Sequence, residues 1–125
     1  MTYKVIIAGS RHITDMVKIG PIIEKKMESI LDEHGWDNVE IVSGGAQGID
    51  RIGELFASSY SLRLTKFPAD WAKYGKSAGP IRNKEMGKYA DMALVIWDGI
   101  SPGSKNMIET MKKLNKPVIA VVLDL

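Results

Sequence analysis

Val42-Ser43-Gly44-Gly45-Ala46-Gln47-Gly48-Ile49-Asp50 joins a short apolar run to a helical pattern, with three glycines inside five positions. Glycines let a backbone approach a ligand closely. The helix that follows directs its unpaired N-terminal N–H groups and the positive end of its dipole toward an anion. The stretch therefore reads as a phosphate cradle at a strand-to-helix junction, the kind of junction from which α/β folds are built.

Working outward, Val39-Glu40-Ile41-Val42 is the strand that feeds the turn, and Ile49, Ile52, Leu55 and Phe56 recur at helical spacing after it. Val5-Ile6-Ile7-Ala8 is a continuous apolar run stopped by Gly9-Ser10-Arg11, as expected of a first strand buried on both faces. Beyond the caps Thr14 and Asp15, Ile19, Ile23, Met27 and Ile30 trace one helix face up to Gly35, with Pro21 expected only in the first turn. Leu62 to Phe67 alternates like an edge or half-buried strand, and Pro68 to Pro80 shows no periodicity and reads as a long loop. A helix is predicted from Pro80 to Ala90, a strand over Ala93 to Ile96, a helix carrying Met107, Ile108, Met111 and Leu114, and a last strand over Pro117 to Leu123. This alternation predicts a mostly parallel five-stranded sheet with helices on both faces. Ligands bind such sheets beyond the carboxyl ends of the strands, where Gly9-Ser10-Arg11, Ser43 to Asp50, Pro68 to Arg82 and Asp98 to Ser104 all fall.

At 125 residues the chain has the size of one domain, expected over 1–125. Charged residues are 26% of the chain but leave a net charge of only +2, so no long-range field recruits nucleic acid or an acidic membrane. The absence of cysteine removes disulfides and thiolate chemistry, no apolar run is long enough to span a bilayer, and the start, Met1 to Gly9, has no signal-peptide pattern. A cytoplasmic protein is expected.

The glycine turn is neither of the familiar phosphate loops. Its glycines lack the G-x-G-x-x-G spacing and follow the second strand instead of the first, and no Walker lysine follows Gly48. A second turn, Gly99 to Ser104, offers backbone N–H groups and the Ser101 and Ser104 hydroxyls at a helix start, and could equally be a flexible turn with a serine cap. Arg11, Arg82 and Asn83 supply polar groups at the rim, arginine being suited to bidentate phosphate contact. Asp50, Asp70, Asp98 and Glu109 are the acids near it; Asp50 is also explained as a helix N-terminal acid and Asp98 as a turn residue. Trp71 and Tyr74 could stack on a base or pin the loop. No metal site and no Ser-His-Asp arrangement is visible, and no cofactor is expected.

Ser43-Gly44-Gly45-Ala46-Gln47-Gly48-Ile49-Asp50, Phe67-Pro68-Ala69-Asp70-Trp71, Ala78-Gly79-Pro80-Ile81-Arg82-Asn83-Lys84-Glu85-Met86, Ala90-Asp91 and Gly103-Ser104-Lys105-Asn106-Met107, in that order, resemble the SLOG superfamily and within it the short YspA-like branch. The resemblance implies a Rossmann-like three-layer sandwich that binds nucleotides or their derivatives through the two glycine turns. Relatives differ in activity: the Lonely Guy proteins cleave the N-glycosidic bond of nucleoside monophosphates, and the DprA proteins bind single-stranded DNA. The phosphoribohydrolases carry P-G-G-x-G-T-x-x-E. Here Pro102-Gly103-Ser104-Lys105-Asn106-Met107 has a shortened glycine run and places methionine at the glutamate position. Glu109 comes two residues late, a rotation of roughly 200° about a helix.

The expected function is binding of a nucleotide-type small molecule by a sensor or carrier. The expected ligand contacts are Gly9, Ser10, Arg11, Ser43, Gly44, Gly45, Gly48, Asp50, Arg82, Asn83, Gly99, Ser101, Gly103 and Ser104. The alternative is an N-glycosidase in which Arg82 positions the phosphate and Asp50 or Asp98 assists departure of the base. Weak net charge and few aromatics argue against a nucleic-acid partner. The Met-bearing final helix, together with helix-mediated pairing in relatives, suggests a homo-oligomer.

Overall fold

The computed structural model describes residues 2–124, so the outermost residues of the expected domain, Met1 and Leu125, lie outside the described part. Five strands, β1 (Tyr3–Gly9), β2 (Val39–Ser43), β3 (Arg63–Lys66), β4 (Met92–Trp97) and β5 (Val118–Val122), form one sheet in the order β3-β2-β1-β4-β5. Every pairing is parallel. Helices α1 (Met16–His34) and α2 (Ile49–Ser59) cover one face; α4 (Ala78–Tyr89) and α5 (Pro102–Lys113) cover the other. This is the expected Rossmann-like three-layer α/β sandwich.

Alternation along each strand divides the core. Val5, Ile7, Ile41, Leu94 and Ile96 pack under α1 and α2, whereas Ile6, Ala8, Val42, Ala93 and Val95 pack under α4 and α5. Strands apolar on both sides are what a sheet covered on both faces requires.

Two local readings are corrected. Pro21 is not in the first turn: Asp15 caps α1 by accepting from the N–H groups of Val17 and Lys18, so the helix starts early and carries the proline in its second turn. The stretch expected to be a long loop contains a one-turn helix, α3 (Trp71–Tyr74), followed by a 3-10 turn over Gly75–Ser77, and α4 begins at Ala78. Four residues are too few to display periodicity, yet Asp70 starts the turn by accepting from the Lys73 N–H at 3.1 Å.

Strand order fixes where a ligand can enter. From β1 the chain moves outward through β2 to β3, then crosses back to β4 on the other side of β1. The connections leaving β1 and β4 therefore part to opposite faces and leave a crevice at their carboxyl ends.

Candidate functional site

That crevice is a cavity of about 460 Å³, lined by Gly9 to His12 after β1, Ala46 and Asp50 around the start of α2, Trp71 of α3, Lys76, Arg82 and Asn83 of α4, and Ser101 to Ser104 at the start of α5. A helix leaves its first N–H groups without internal partners, and a capping side chain usually takes one. At α5 this does not happen. Ser101 stands at the cap position, but its hydroxyl turns away to the Asp98 carboxylate, at 2.8 and 2.9 Å. Among the described residues the Gly103 and Ser104 N–H groups then have no hydrogen-bond partner.

Beside them lies the Ser104 hydroxyl, in a residue 4% exposed that lines the cavity. Ser104 Oγ and Trp97 Nε1 are the two buried side-chain polar atoms without a partner among the described residues, and Trp97 does not line the cavity. An unmade hydrogen bond of this kind costs about 1–3 kcal/mol, so the arrangement calls for an acceptor from outside the chain. Two N–H groups, a hydroxyl and a helix dipole converge on one place, and an anion satisfies all of them.

Arg82 spans the cavity from α4. Its Nη1 donates to the carbonyls of Gly44 and, at 3.4 Å, Phe67, and its Nε donates to Asn83 Oδ1 at 3.0 Å. Asn83, itself buried, donates from Nδ2 to Gly103 O at 3.3 Å and Asn106 Oδ1 at 2.9 Å, tying α4 to the start of α5. Partial burial pulls the Arg82 guanidinium below its ordinary value and nearby Arg11 pulls the same way, while Asp50 opposes both. Neither Arg11 nor Arg82 forms a salt bridge among the described residues. Arg11 rests 5.5 Å above the Trp71 ring.

Asp50 lies on the inner wall, buried, accepting from the Ala46 N–H at 3.2 Å. Burial pushes its carboxyl up, against the pull of that N–H and of Arg82. Asp98 behaves in the opposite way. The N–H groups of Ile100 and Ser101 and the Ser101 hydroxyl hold it down to about 2, and His12 Nε2 stands 3.4 Å away. It does not line the cavity; it clasps two turns together. The Asp98 N–H donates to Ser10 Oγ at 3.1 Å, and Ser10 Oγ meets Ser101 Oγ at 2.9 Å.

Of the residues expected from the sequence, Gly9, Ser10, Arg11, Asp50, Arg82, Asn83, Ser101, Gly103 and Ser104 line this cavity. Gly44 and Gly45 line an adjoining one of about 430 Å³, which shares Arg11, Ala46, Trp71 and Arg82 with the first. Ser43, Gly48 and Gly99 line neither. Ser43 is fully buried and donates to Glu54 Oε2 at 2.7 Å; Gly48 packs against the Ser10 and Arg11 carbonyls; Gly99 lies near Val122 of β5. Lys76 and Asn106 were not singled out from the sequence. Asn106 sits in a motif used only for family resemblance, and Lys76 in a stretch without pattern.

The comparisons with known proteins agree with this architecture. Residues 3–74 match the family described as YspA, cpYpsA-related SLOG. The Gene 61 protein of Mycobacterium phage D29 is 30% identical over 122 residues, covering 93% of this chain and 94% of that protein. DNA processing protein A of Streptococcus pneumoniae superposes with a TM-score of 0.70 at 18% identity, covering 99% of this chain and 52% of that one, so the present chain spans about half its length. DNA processing protein A of Helicobacter pylori, whose structure was described for its single-stranded DNA binding mode, gives 0.67 at 20% identity, with 98% and 66% covered. The two superpositions show a shared fold.

Proposed function

This chain belongs to the YspA- and cpYpsA-related SLOG family, and from that membership and the cavity at its sheet edge we propose that it binds a nucleotide or nucleotide derivative as a sensor or carrier. The observation that carries the reading is the start of α5, where the buried Ser104 hydroxyl and the Gly103 and Ser104 N–H groups have no partner among the described residues. A phosphate fits that set, with Arg11 and Arg82 supplying the opposite charge.

The test is calorimetric titration and thermal shift with AMP, GMP and a short dT oligonucleotide. A mononucleotide should bind and raise the melting temperature, since ligand at 100 times its Kd adds about 2.7 kcal/mol. Ser104→Asp, which puts a carboxylate where the phosphate would sit, should remove that binding and leave the circular dichroism spectrum unchanged. No binding by either mononucleotide would sink the reading; preference for the oligonucleotide would replace it with a single-strand binder.

A second reading, cleavage of the N-glycosidic bond of a nucleoside monophosphate, is favoured by one observation: Asp50, a carboxyl pushed upward by burial, lines the cavity and could donate a proton to a departing base. Two others favour binding alone. Met107 lines the cavity where the phosphoribohydrolase pattern has its glutamate, and Glu109 lies on the exposed side of α5, 4.0 Å from Lys105. Free base released from AMP by the wild type and not by Asp50→Asn would reverse that ranking.

A further inference from the structure

We infer that the groove between α1 and α2 is a docking site for a protein partner that presents an arginine side chain, held between two aromatic rings and two glutamates. The groove lies apart from the rim: none of its lining residues belongs to either cavity at the carboxyl ends of the strands. The inference therefore stands whether or not a nucleotide binds there.

The groove encloses about 350 Å³, and its apolar lining includes buried Leu31 of α1 and Phe56 of α2. Trp36, in the 3-10 turn Trp36–Asn38 after α1, and Tyr60, directly after α2, also line it and are 46% and 36% exposed. Their ring centroids are 5.2 Å apart with planes tilted by 46°, and Tyr60 leans on Phe56 at 4.9 Å. Leaving two such rings in water is unfavourable, and packing against Phe56 fixes them in place without covering them. An aromatic face that is held still and left open suits an apolar group or a cation.

The charges decide for the cation. Glu24 and Glu28 line the groove one turn apart on α1, and Asp32 continues their row by the same step. Among the described residues none of these three forms a salt bridge, and Lys25 is the one cation lining the groove, so its walls carry a net negative charge. Hydrogen bonding to Glu24 pushes the Tyr60 hydroxyl up, which joins the acidic row to the aromatic pair. Both helices end beside these rings, and a helix's carboxyl end favours a positive charge. A guanidinium answers all of this: its flat face stacks on an indole, and its edge donates two parallel hydrogen bonds to a carboxylate. An ammonium brings the charge without the stack or the fork, so arginine is preferred over lysine.

The experiment follows the Trp36 indole by NMR while the full chain is titrated with an acetylated peptide alternating arginine and alanine, and with its citrulline and lysine counterparts. The arginine peptide should shift the Trp36 and Tyr60 resonances and bind about tenfold or more tightly than the citrulline peptide, which keeps the shape and loses the charge. It should also bind more tightly than the lysine peptide. Trp36→Leu, which keeps apolar surface and removes the ring, and Glu28→Gln should each weaken binding about threefold or more. Both positions are exposed, so the spectra of the variants should remain those of a folded chain. Equal affinities for the arginine and citrulline peptides, preference for lysine, or arginine binding untouched by both substitutions would overturn the proposal. Shifts of the same resonances on concentrating the protein alone would place a second copy in the groove and overturn it as well.

Discussion

Gly48 and Gly45 have almost the same backbone twist, φ +75° and +74°, and opposite surroundings. Gly48 is pressed against the Ser10 and Arg11 carbonyls, so a Cβ there meets rigid backbone as well as conformational strain, whereas Gly45 faces open space. Gly48→Ala should destabilise the fold by about 2–4 kcal/mol and Gly45→Ala by about 1 kcal/mol, compared by urea unfolding. Equal losses would mean that strain alone, not contact between the two turns, sets the cost. The sequence displays both glycines with equal emphasis, because a glycine needed for close approach to the protein's own backbone is written like one needed for a ligand. Asp50 adds a pH dependence. Its folded-state value is raised, so the stability it gives is complete below the unfolded value near 4 and declines as pH rises through the folded value. Asp50→Asn should therefore gain melting temperature relative to wild type at pH 7 and lose that advantage at pH 3.5; a constant difference across this range would contradict the assignment.

Elements are held in place by clasps that local pattern only partly reveals. Asp98 joins the turn after β4 to the turn after β1 through Ser101 and Ser10, residues 91 positions apart in sequence, so the pairing is invisible until the strands are neighbours. Because its folded value is depressed to about 2, its contribution is present above the unfolded carboxylate value and is lost as pH falls through the window from about 4 to 2. Asp98→Asn should lower the melting temperature at pH 7 and converge on wild type below pH 2.5. Within α1, Pro21 removes an N–H from the second turn. Pro21→Ala should stabilise the chain by about 1–3 kcal/mol, less whatever stiffness the proline gives the unfolded state; a destabilised variant would show that the proline itself is needed in the fold. The alternation of apolar runs and helical stripes made the five strands and four long helices readable in advance. The one-turn α3 was not, since its place depends on Asp70 and on Trp71 lying between Arg11 and Gly79.

On the scale of the molecule, the two sheet edges differ. β3 carries Arg63 and Lys66, charges of the kind that discourage strand addition, whereas β5, Val118 to Val122, carries none and leaves Ile119 and Val122 partly exposed. The methionines on which pairing through the last helix was expected, Met107 and Met111, face this chain's own core instead. Any self-association should thus run through β5, and Val122→Lys should reduce the concentration-dependent mass seen by light scattering; an unchanged mass profile would place the contact elsewhere. The order of the strands, finally, draws the two arginines of the site from different halves of the chain. Arg11 and Ala46 belong to the β1-to-β3 half, and Arg82 and Ser104 to the half that returns across β1. Neither half holds a complete site. In refolding, ligand capture would therefore lag the appearance of helical signal and mark the docking of the two halves, making occupancy a clock for the last step of assembly.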